Sequence, residues 1–404
     1  MTFGIGFAIA AFANSLAIKA DDAASSKLTL TPTFDDRERF ERRTNKGFSD
    51  AVADNRSDLF SRIRPGVKFK VNNLTGQVVY QYSHDLGWFH NGNNSTENSD
   101  LLLANVNIPE GDGKITVGRQ RLNIGSLRML EESNWNNIST TWDGVRFQGP
   151  EGDIFAASLG TNGKEDREAR LTGFDVDSRY GKTLAFFQHE NLAGSRLDLY
   201  SFDQYLTGKV GGLGFSIEGM AQLGTWGAKD VQAFASSVKV TRNFSSKFSA
   251  TVEGDIASGG SNAHRTNQFT NFFGGHHAFD GASDNQGLSN VKEVNLVLNY
   301  QTSKTLKSSL GWYNFSLYDP TGGWINKNDT VNKSGSTSLI DATGGKGSSV
   351  GQEVDFDTSW TFRKHSTLTV GVADFIPGNY LKAFTGSGAS KQSYWFFAQM
   401  VVKL

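Results

Sequence analysis

The sequence predicts an all-β protein: a transmembrane antiparallel β-barrel of roughly 18 strands, with short periplasmic turns and long extracellular loops, within the strand range of outer-membrane barrels. Three observations carry this. Segment after segment alternates apolar and polar residues with period two, which puts one set of side chains on each face of a strand. The 404 residues include 45 Gly and 30 Phe, an aromatic share of 12%, yet mean hydropathy is only −0.40, a pairing that suits many short Gly-punctuated strands better than one globular core. Beyond the N-terminus no apolar run approaches the ~20 residues of a membrane-spanning helix, so entry into a membrane is by strands.

The N-terminal run FGIGFAIAAFANSLA, Phe3 to Ala17, has the length of a signal-peptide core and is followed by small residues, with acceptable cleavage after Ala17 or Ala20. Residues 1–20 are therefore expected to be a signal-peptide-like segment, although no Lys or Arg precedes Lys19. Residues 21–404 are expected to be a single outer-membrane barrel domain, since no shift in composition marks a second one.

The strands follow in order. In SRIRPGVKFKV, Ile63, Val67 and Phe69 share one face, and Arg62, Arg64, Lys68 and Lys70 share the other. In FSIEGMAQLG, Phe215, Ile217, Ala221 and Leu223 oppose Ser216, Glu218 and Gln222. SATVEGDIASGG sets Ala250, Val252 and Ile256 against Thr251, Glu253 and Asp255. QEVDFDTSW sets Val354, Phe356 and Trp360 against Glu353, Asp355, Asp357 and Ser359, and SYWFFAQMVVKL closes the series. One face is oily and the other charged, as a barrel with a wet lumen requires, and closure removes the open edges of a flat sheet. Tight polar connections (Asn72 to Gly76, Asn243 to Lys247, Thr302 to Thr305) contrast with long Gly/Ser/Asn-rich ones (Asp85 to Asp100, Gly259 to Asn290, Asp319 to Gly351).

Charge is informative only locally, because the formal net charge is −1 and gives no footprint for nucleic acid. Between Arg37 and Lys70 ten basic residues face five acidic ones, and alternation places Arg37, Arg39 and Arg43 with Glu41 on one face. Such a stripe, focused by low-dielectric walls, attracts anions; the plainer reading is that each charge pairs with a neighbour and props the wall. Later strands supply Glu218, Glu253, Asp255, Glu353, Asp355 and Asp357, expected either to set up a transverse field or to neutralise the arginines across the lumen. The stretch GRQRLNIGSLRMLEESNWNNISTTWDGVRF, Gly118 to Phe147, adds Arg119, Arg121, Arg128 and Arg146. Burying guanidinium groups without partners is costly, so these arginines must line water, a ligand or one another. Arg119 and Arg121 share a face with Ile115 and Val117, which predicts a bulge or strand end near Gly118, after which SLRMLEESNWNN is too polar for a lipid-facing strand and turns inward or over a rim.

No catalytic or metal constellation emerges. GSSVG at Gly347 to Gly351 lacks the strand-to-helix setting of a nucleophile elbow. His276 and His277 with Asp280 and Asp284 converge poorly on one ion, and FQHE at Phe187 to Glu190 is too sparse for zinc. The chain has no cysteine. No cofactor and no enzymatic activity are expected.

These residues resemble the alginate export family of outer-membrane porins. GRQRLNIGSLR with NWNNISTTWDGVRF is similar to that family's Gly-Arg-Gln element and its Trp-Asn and Asp-Gly-Val-Arg segment. GDIASGG at Gly254 to Gly260, then His277, Gly281 and Asp284, and GVADFIPGNY at Gly371 to Tyr380 match in the same order. The resemblance implies an 18-stranded barrel with an arginine-lined pathway for carboxylated substrates and makes Arg37, Arg39, Arg62, Arg64, Arg119, Arg121, Arg128 and Arg146 pathway candidates. The expected function is a passive channel for anionic or polar solutes, including acidic oligosaccharides, embedded in outer-membrane lipid and delivered by the barrel-insertion machinery. A barrel enzyme acting on lipid or glycan at the rim, and an adhesive barrel binding partners through its loops, are the alternatives.

Overall fold

The structure is a computed structural model that describes residues 27–51, 54–85, 96–161, 168–192, 194–271, 273–386 and 390–404. The signal-peptide-like segment lies outside the described residues. Eighteen strands form one closed antiparallel sheet. They are β1 (Thr29–Thr44), β2 (Arg56–Val71), β3 (Leu74–Asp85), β4 (Thr96–Glu110), β5 (Gly113–Gln120), β6 (Thr141–Gly149), β7 (Gly152–Thr161), β8 (Glu168–Ser178) and β9 (Gly181–Leu192). The circuit continues through β10 (Ser195–Val210), β11 (Leu213–Trp226), β12 (Lys229–Asn243), β13 (Phe248–Ala257), β14 (Val291–Gln301), β15 (Leu306–Leu317), β16 (Ser349–Arg363), β17 (Ser366–Pro377) and β18 (Ser393–Lys403), with one helix, α1 (Asn379–Thr385), before the last strand. Each strand pairs with its neighbour in sequence, and β18 returns to β1 from Asp35↔Lys403 to Thr44↔Tyr394, so no edge is left open.

Alternation decides which face is which. Along β11 and β12 Ile217, Leu223, Phe234 and Val238 point outward and are exposed, and the same is true of Ile154, Phe174, Tyr200 and Phe202 on β7, β8 and β10. A continuous apolar exterior of this kind is tolerated only against lipid. The short rim is built from turns such as Asn72–Asn73 and Gly211–Gly212, where Asn72 (φ 52°) and Gly211 and Gly212 (φ 57° and 80°) take the left-handed conformation a tight reversal needs. At the opposite rim the connections 121–140, 258–290 and 318–348 run long.

The interior differs from a simple polar bore. On the loop side of β7 to β12 the inward residues Phe155, Leu171, Leu184, Leu199, Met220 and Val231 are apolar and buried, and they are covered by Leu122, Ile124, Met129 and Leu130 of the 121–140 loop and by Phe269 and Phe273 of the 258–290 loop. The 121–140 loop therefore folds into the barrel, where each buried Leu or Ile contributes about 1.5–3 kcal/mol of transfer free energy. A second part of the same core gathers Phe48, Trp324, Phe375, Leu339 and Tyr380, with Phe48 5.6 Å from Trp324 and 5.3 Å from Phe375, and α1 is tied in by the Tyr380 hydroxyl donating to the Leu339 carbonyl at 2.9 Å. Gly274 is needed where the two inward loops cross, since a Cβ there would stand 1.9 Å from the Arg128 carbonyl oxygen.

Candidate functional site

β1 and β2 pair with Arg37 opposite Arg62 and Asp35 opposite Arg64, so four guanidinium groups, those of Arg37, Arg39, Arg62 and Arg64, stand together on the inner wall. Like charges set directly opposite destabilise a sheet unless something intervenes. The 121–140 loop intervenes. Arg37 donates to the carbonyls of Asn134 (2.9 Å), Trp135 (3.0 Å) and Asn136 (3.0 Å), Arg39 to that of Trp135 (2.8 Å), and Arg62 to those of Asn134 (2.9 Å) and Asn136 (3.2 Å). Arg64 donates to the Gln81 and Asn134 side chains and to the Ser139 hydroxyl at 2.8, 2.9 and 2.6 Å. Among the described residues two carboxylates form ion pairs with the four: Asp35, 3.5 Å from Arg62, and Glu41, 2.8 Å from Arg39. The arginines thus line neither open water nor each other. They are 1–3% exposed, and their donors go mainly to backbone carbonyls of their own chain or, for Arg64, to the side chains of Gln81, Asn134 and Ser139.

The facing wall carries carboxylates. Arg128, on the 121–140 loop, is buried among Glu253, Glu218 (3.4 Å) and Asp255 (3.4 Å), with the Phe279 ring 4.1 Å from its guanidinium carbon. Burial by itself would lower its pKa, but Asp255, Glu253, Asp280 and Glu218 outweigh burial and hold it above the ordinary arginine value. Further round, Glu353 accepts from the Ser283 amide at 2.8 Å and Asp355 from the Ala282 amide at 2.9 Å, anchoring the 258–290 loop. Gly281 (φ 86°) lets that loop come so close, as its Cβ would lie 2.8 Å from Glu353. The acidic strands therefore meet the arginine of an inward loop, and not the arginines of β1 and β2.

Between the walls lies a stack. The Arg39 guanidinium sits 4.1 Å above the Trp135 ring, and His277 stacks against Trp135 at 3.7 Å and 7°. His277 Nδ1 is 3.1 Å from Asp284, whose other oxygen accepts from Lys327 Nζ at 2.7 Å. Burial raises the Asp284 pKa, yet Lys327, His277 and Arg43 reverse this and hold the carboxyl well below the usual range. Two cavities flank the stack. One of about 310 Å³ opens toward the extracellular side among Arg39, Arg43, Lys46, Arg56 and Asn332. The other, of about 180 Å³, reaches Leu127, Gly274 and Phe279. They share Trp135, Asn136, Asp284, Lys327 and Asn328, and the Lys327 to Asn136 contact of 3.5 Å stands between them.

The other expected pathway residues are dispersed. Lys68 faces inward in an open recess at the periplasmic rim with Lys70, and Asp357 lies in another with Lys307. Arg146 is on the inner wall, paired with Asp153, and Arg121 pairs with Glu132 where the loop leaves β5. Arg119 is a correction: of the bulge or strand end expected near Gly118 the strand end occurs, at Gln120, so the count runs unbroken from Ile115 through Val117 and Arg119 emerges on the outer face, bonded to Asp143 (2.8 Å) and Asp100 (3.1 Å) near the long-loop rim. Lys327 was not singled out by sequence, Trp135 entered only as a neighbour of the arginines in the stretch Gly118 to Phe147, and His277 and Asp284 entered through the family resemblance and a rejected metal set; among the described residues no group of three or more His, Cys, Asp and Glu side chains could hold a metal ion.

The profile of the family described as alginate export matches residues 188–394. Among solved structures, the outer membrane protein OprD of Pseudomonas aeruginosa superposes with a TM-score of 0.58 at 11% identity, covering 93% of each chain. OccK2 (OpdF) of the same organism, in complex with glucuronate, gives 0.60 at 9% identity over 93% of this chain and 96% of that one. OpdK of the same organism, with vanillate, gives 0.61 at 10% identity over 93% and 98%. No curated protein matches in sequence.

Proposed function

Because this chain belongs to the alginate export family and is an integral outer-membrane channel for solutes, we propose that it passes small anionic solutes, acidic sugars foremost, down their gradient without chemical change. The observation that carries this reading is the manner in which the arginine wall is satisfied. Neutral oxygens meet their donors, backbone carbonyls for Arg37, Arg39 and Arg62 and side-chain oxygens for Arg64, but do not cancel their charge, and among the described residues only Asp35 and Glu41 form an ion pair with any of the four. A positive potential therefore persists along one side of the bore, continued by Arg43, Lys46 and Arg56 above and by Lys68 and Lys70 below. The neighbours crystallised with glucuronate and vanillate point the same way. With inward loops leaving cavities of about 310 and 180 Å³, this conformation suits single small solutes rather than a polymer chain. Reversal potentials across a planar bilayer under a KCl gradient test it. Anion preference is expected, falling when Lys68 and Lys70 are both changed to Gln. Cation preference in the unaltered channel overturns it.

A further inference from the structure

The extracellular cavity has a composition that a general anion funnel does not need. Each cation in it but one is engaged: Arg43 with Glu41 (3.3 Å) and the Ser283 carbonyl, Arg56 with Asp58 and with Asp85 (3.0 Å), and Lys327 with Asp284 (2.7 Å). Lys46, one residue beyond the end of the β1 turn residue Asn45, makes no ion pair or side-chain hydrogen bond among the described residues and is exposed to the cavity. Partial desolvation, followed by the charges of Arg43, Lys327 and Arg56, holds its ammonium below the usual lysine range. Asp284 and Asp54 line the same cavity, Asp284 opposing the shift, yet neither forms an ion pair with Lys46 among the described residues.

Neutral groups are gathered beside it. Asn136 and Asn328 are exposed in the same cavity, Asn328 with its side-chain amide free of protein partners and Asn136 using only its oxygen, toward Lys327. Phe60 lines the wall, on the inner face because it pairs with Arg39. One unpaired ammonium, two carboxamides able both to donate and to accept, and an aromatic ring meet the chemistry of a sugar acid: a carboxylate, several hydroxyls and an apolar C–H face. A simple inorganic anion would use the ammonium and leave the rest idle. The volume of about 310 Å³ is at the lower end of small-ligand pockets, typically about 300–1,000 Å³, and so admits one ring.

We propose that this cavity is an extracellular capture site for a single hexuronate, its carboxylate on Lys46, its hydroxyls on Asn136 and Asn328 and its ring face on Phe60. The proposal rests on the anion-channel reading and adds a ligand class and a sidedness to it. Capture is weak by construction, because a channel must release what it binds.

The test uses the full-length channel inserted in planar bilayers in one orientation, with glucuronate, glucose or acetate added to the side of the long loops. Glucuronate is expected to cause transient blockades, at least tenfold more frequent than equal concentrations of glucose or acetate produce, and fewer when added from the periplasmic side. Lys46→Gln is expected to lower the frequency at least tenfold in channels that still insert and conduct, which shows that the barrel has folded. Phe60→Ala shortens the blockades. Equal blockade by acetate, or a Lys46→Gln channel blocked as often as the parent, overturns the capture site. The reversal potential is read in the same membranes: anion preference without glucuronate blockade sinks the site alone, whereas cation preference sinks the channel reading beneath it.

Discussion

The arginine wall of β1 and β2 and the carboxylate wall from β11 to β16 are both buried charge, yet the protein satisfies them by opposite means. On the arginine side four cations receive mostly neutral acceptors, three consecutive carbonyls of residues 134–136 among them. On the carboxylate side Glu218, Glu253 and Asp255 converge on Arg128, with Lys239 a second cation 2.9 Å from Glu253. A guanidinium offers five donors in a rigid fork and stays charged, so carbonyls suffice for its hydrogen bonds. Several carboxylates crowded together need a cation. The same loop supplies both, Arg128 to one wall and its backbone carbonyls to the other, and so spans the bore.

The largest effect that would expose this asymmetry is at Arg128. Arg128→Met leaves three buried carboxylates around an apolar side chain, and breaking a buried ionic cluster by removing one partner costs about 3–5 kcal/mol. The 121–140 loop should detach from the carboxylate wall, raising single-channel conductance and lowering the urea midpoint of unfolding. Unchanged conductance with an unchanged midpoint would show that the apolar contacts of Leu122, Ile124 and Leu130 hold the loop without the ion cluster.

Arg62→Met is the matching change on the other wall, and its effect should be smaller. It removes donors from the Asn134 and Asn136 carbonyls, which remain neutral and keep Arg37 as a partner, and it relieves the repulsion between Arg37 and Arg62. Losing hydrogen bonds from a charged donor to buried acceptors costs about 1–3 kcal/mol. Anion preference should fall along with stability, measured in the same bilayer and urea experiments. If Arg62→Met proves more damaging than Arg128→Met, the view that neutral acceptors and a central counter-ion are unequal supports is wrong.

What could be read beforehand divides along the same line. Period-two counting places Arg37, Arg39, Arg62 and Arg64 on one face because strand geometry is local, and the same counting, carried through Gly118, would have put Arg119 outside beside Asp143. Expecting a flip there gave too much weight to a glycine that the strand accommodates at φ 107°. The partners of Arg128 were not legible, since Glu253 is 125 residues away and no local rule connects a loop to a distant strand. That SLRMLEESNWNN turns inward was legible from its polarity, but not that it shelters the arginines, because its seat depends on apolar inner-wall residues such as Phe155, Leu171 and Leu199, which stand where a wet lumen would call for polar side chains.

The smallest expected effect concerns the stack that joins the two walls, and here pH is the probe. Asp284 is on the 258–290 loop, whose Ala282 and Ser283 amides are fixed to the carboxylate wall, while its own carboxylate engages Lys327 and His277, and His277 stacks on the tryptophan that Arg39 covers. Its folded pKa lies well below the unfolded value of about 3.9. A depressed carboxyl pKa stabilises the fold fully above the unfolded pKa, and that contribution fades as pH falls through the window between unfolded and folded values. Current noise from the inward loops should therefore be insensitive to Asp284 down to about pH 5 and rise only below about pH 4, where the detached or unfolded chain takes up a proton that the folded carboxyl still refuses. Asp284→Asn should show the raised noise already at pH 7 and lose the acid-dependent increment. If the variant keeps the full acid response, the increment belongs to carboxylates of the strand wall, and the stack is not the element that couples the two sides.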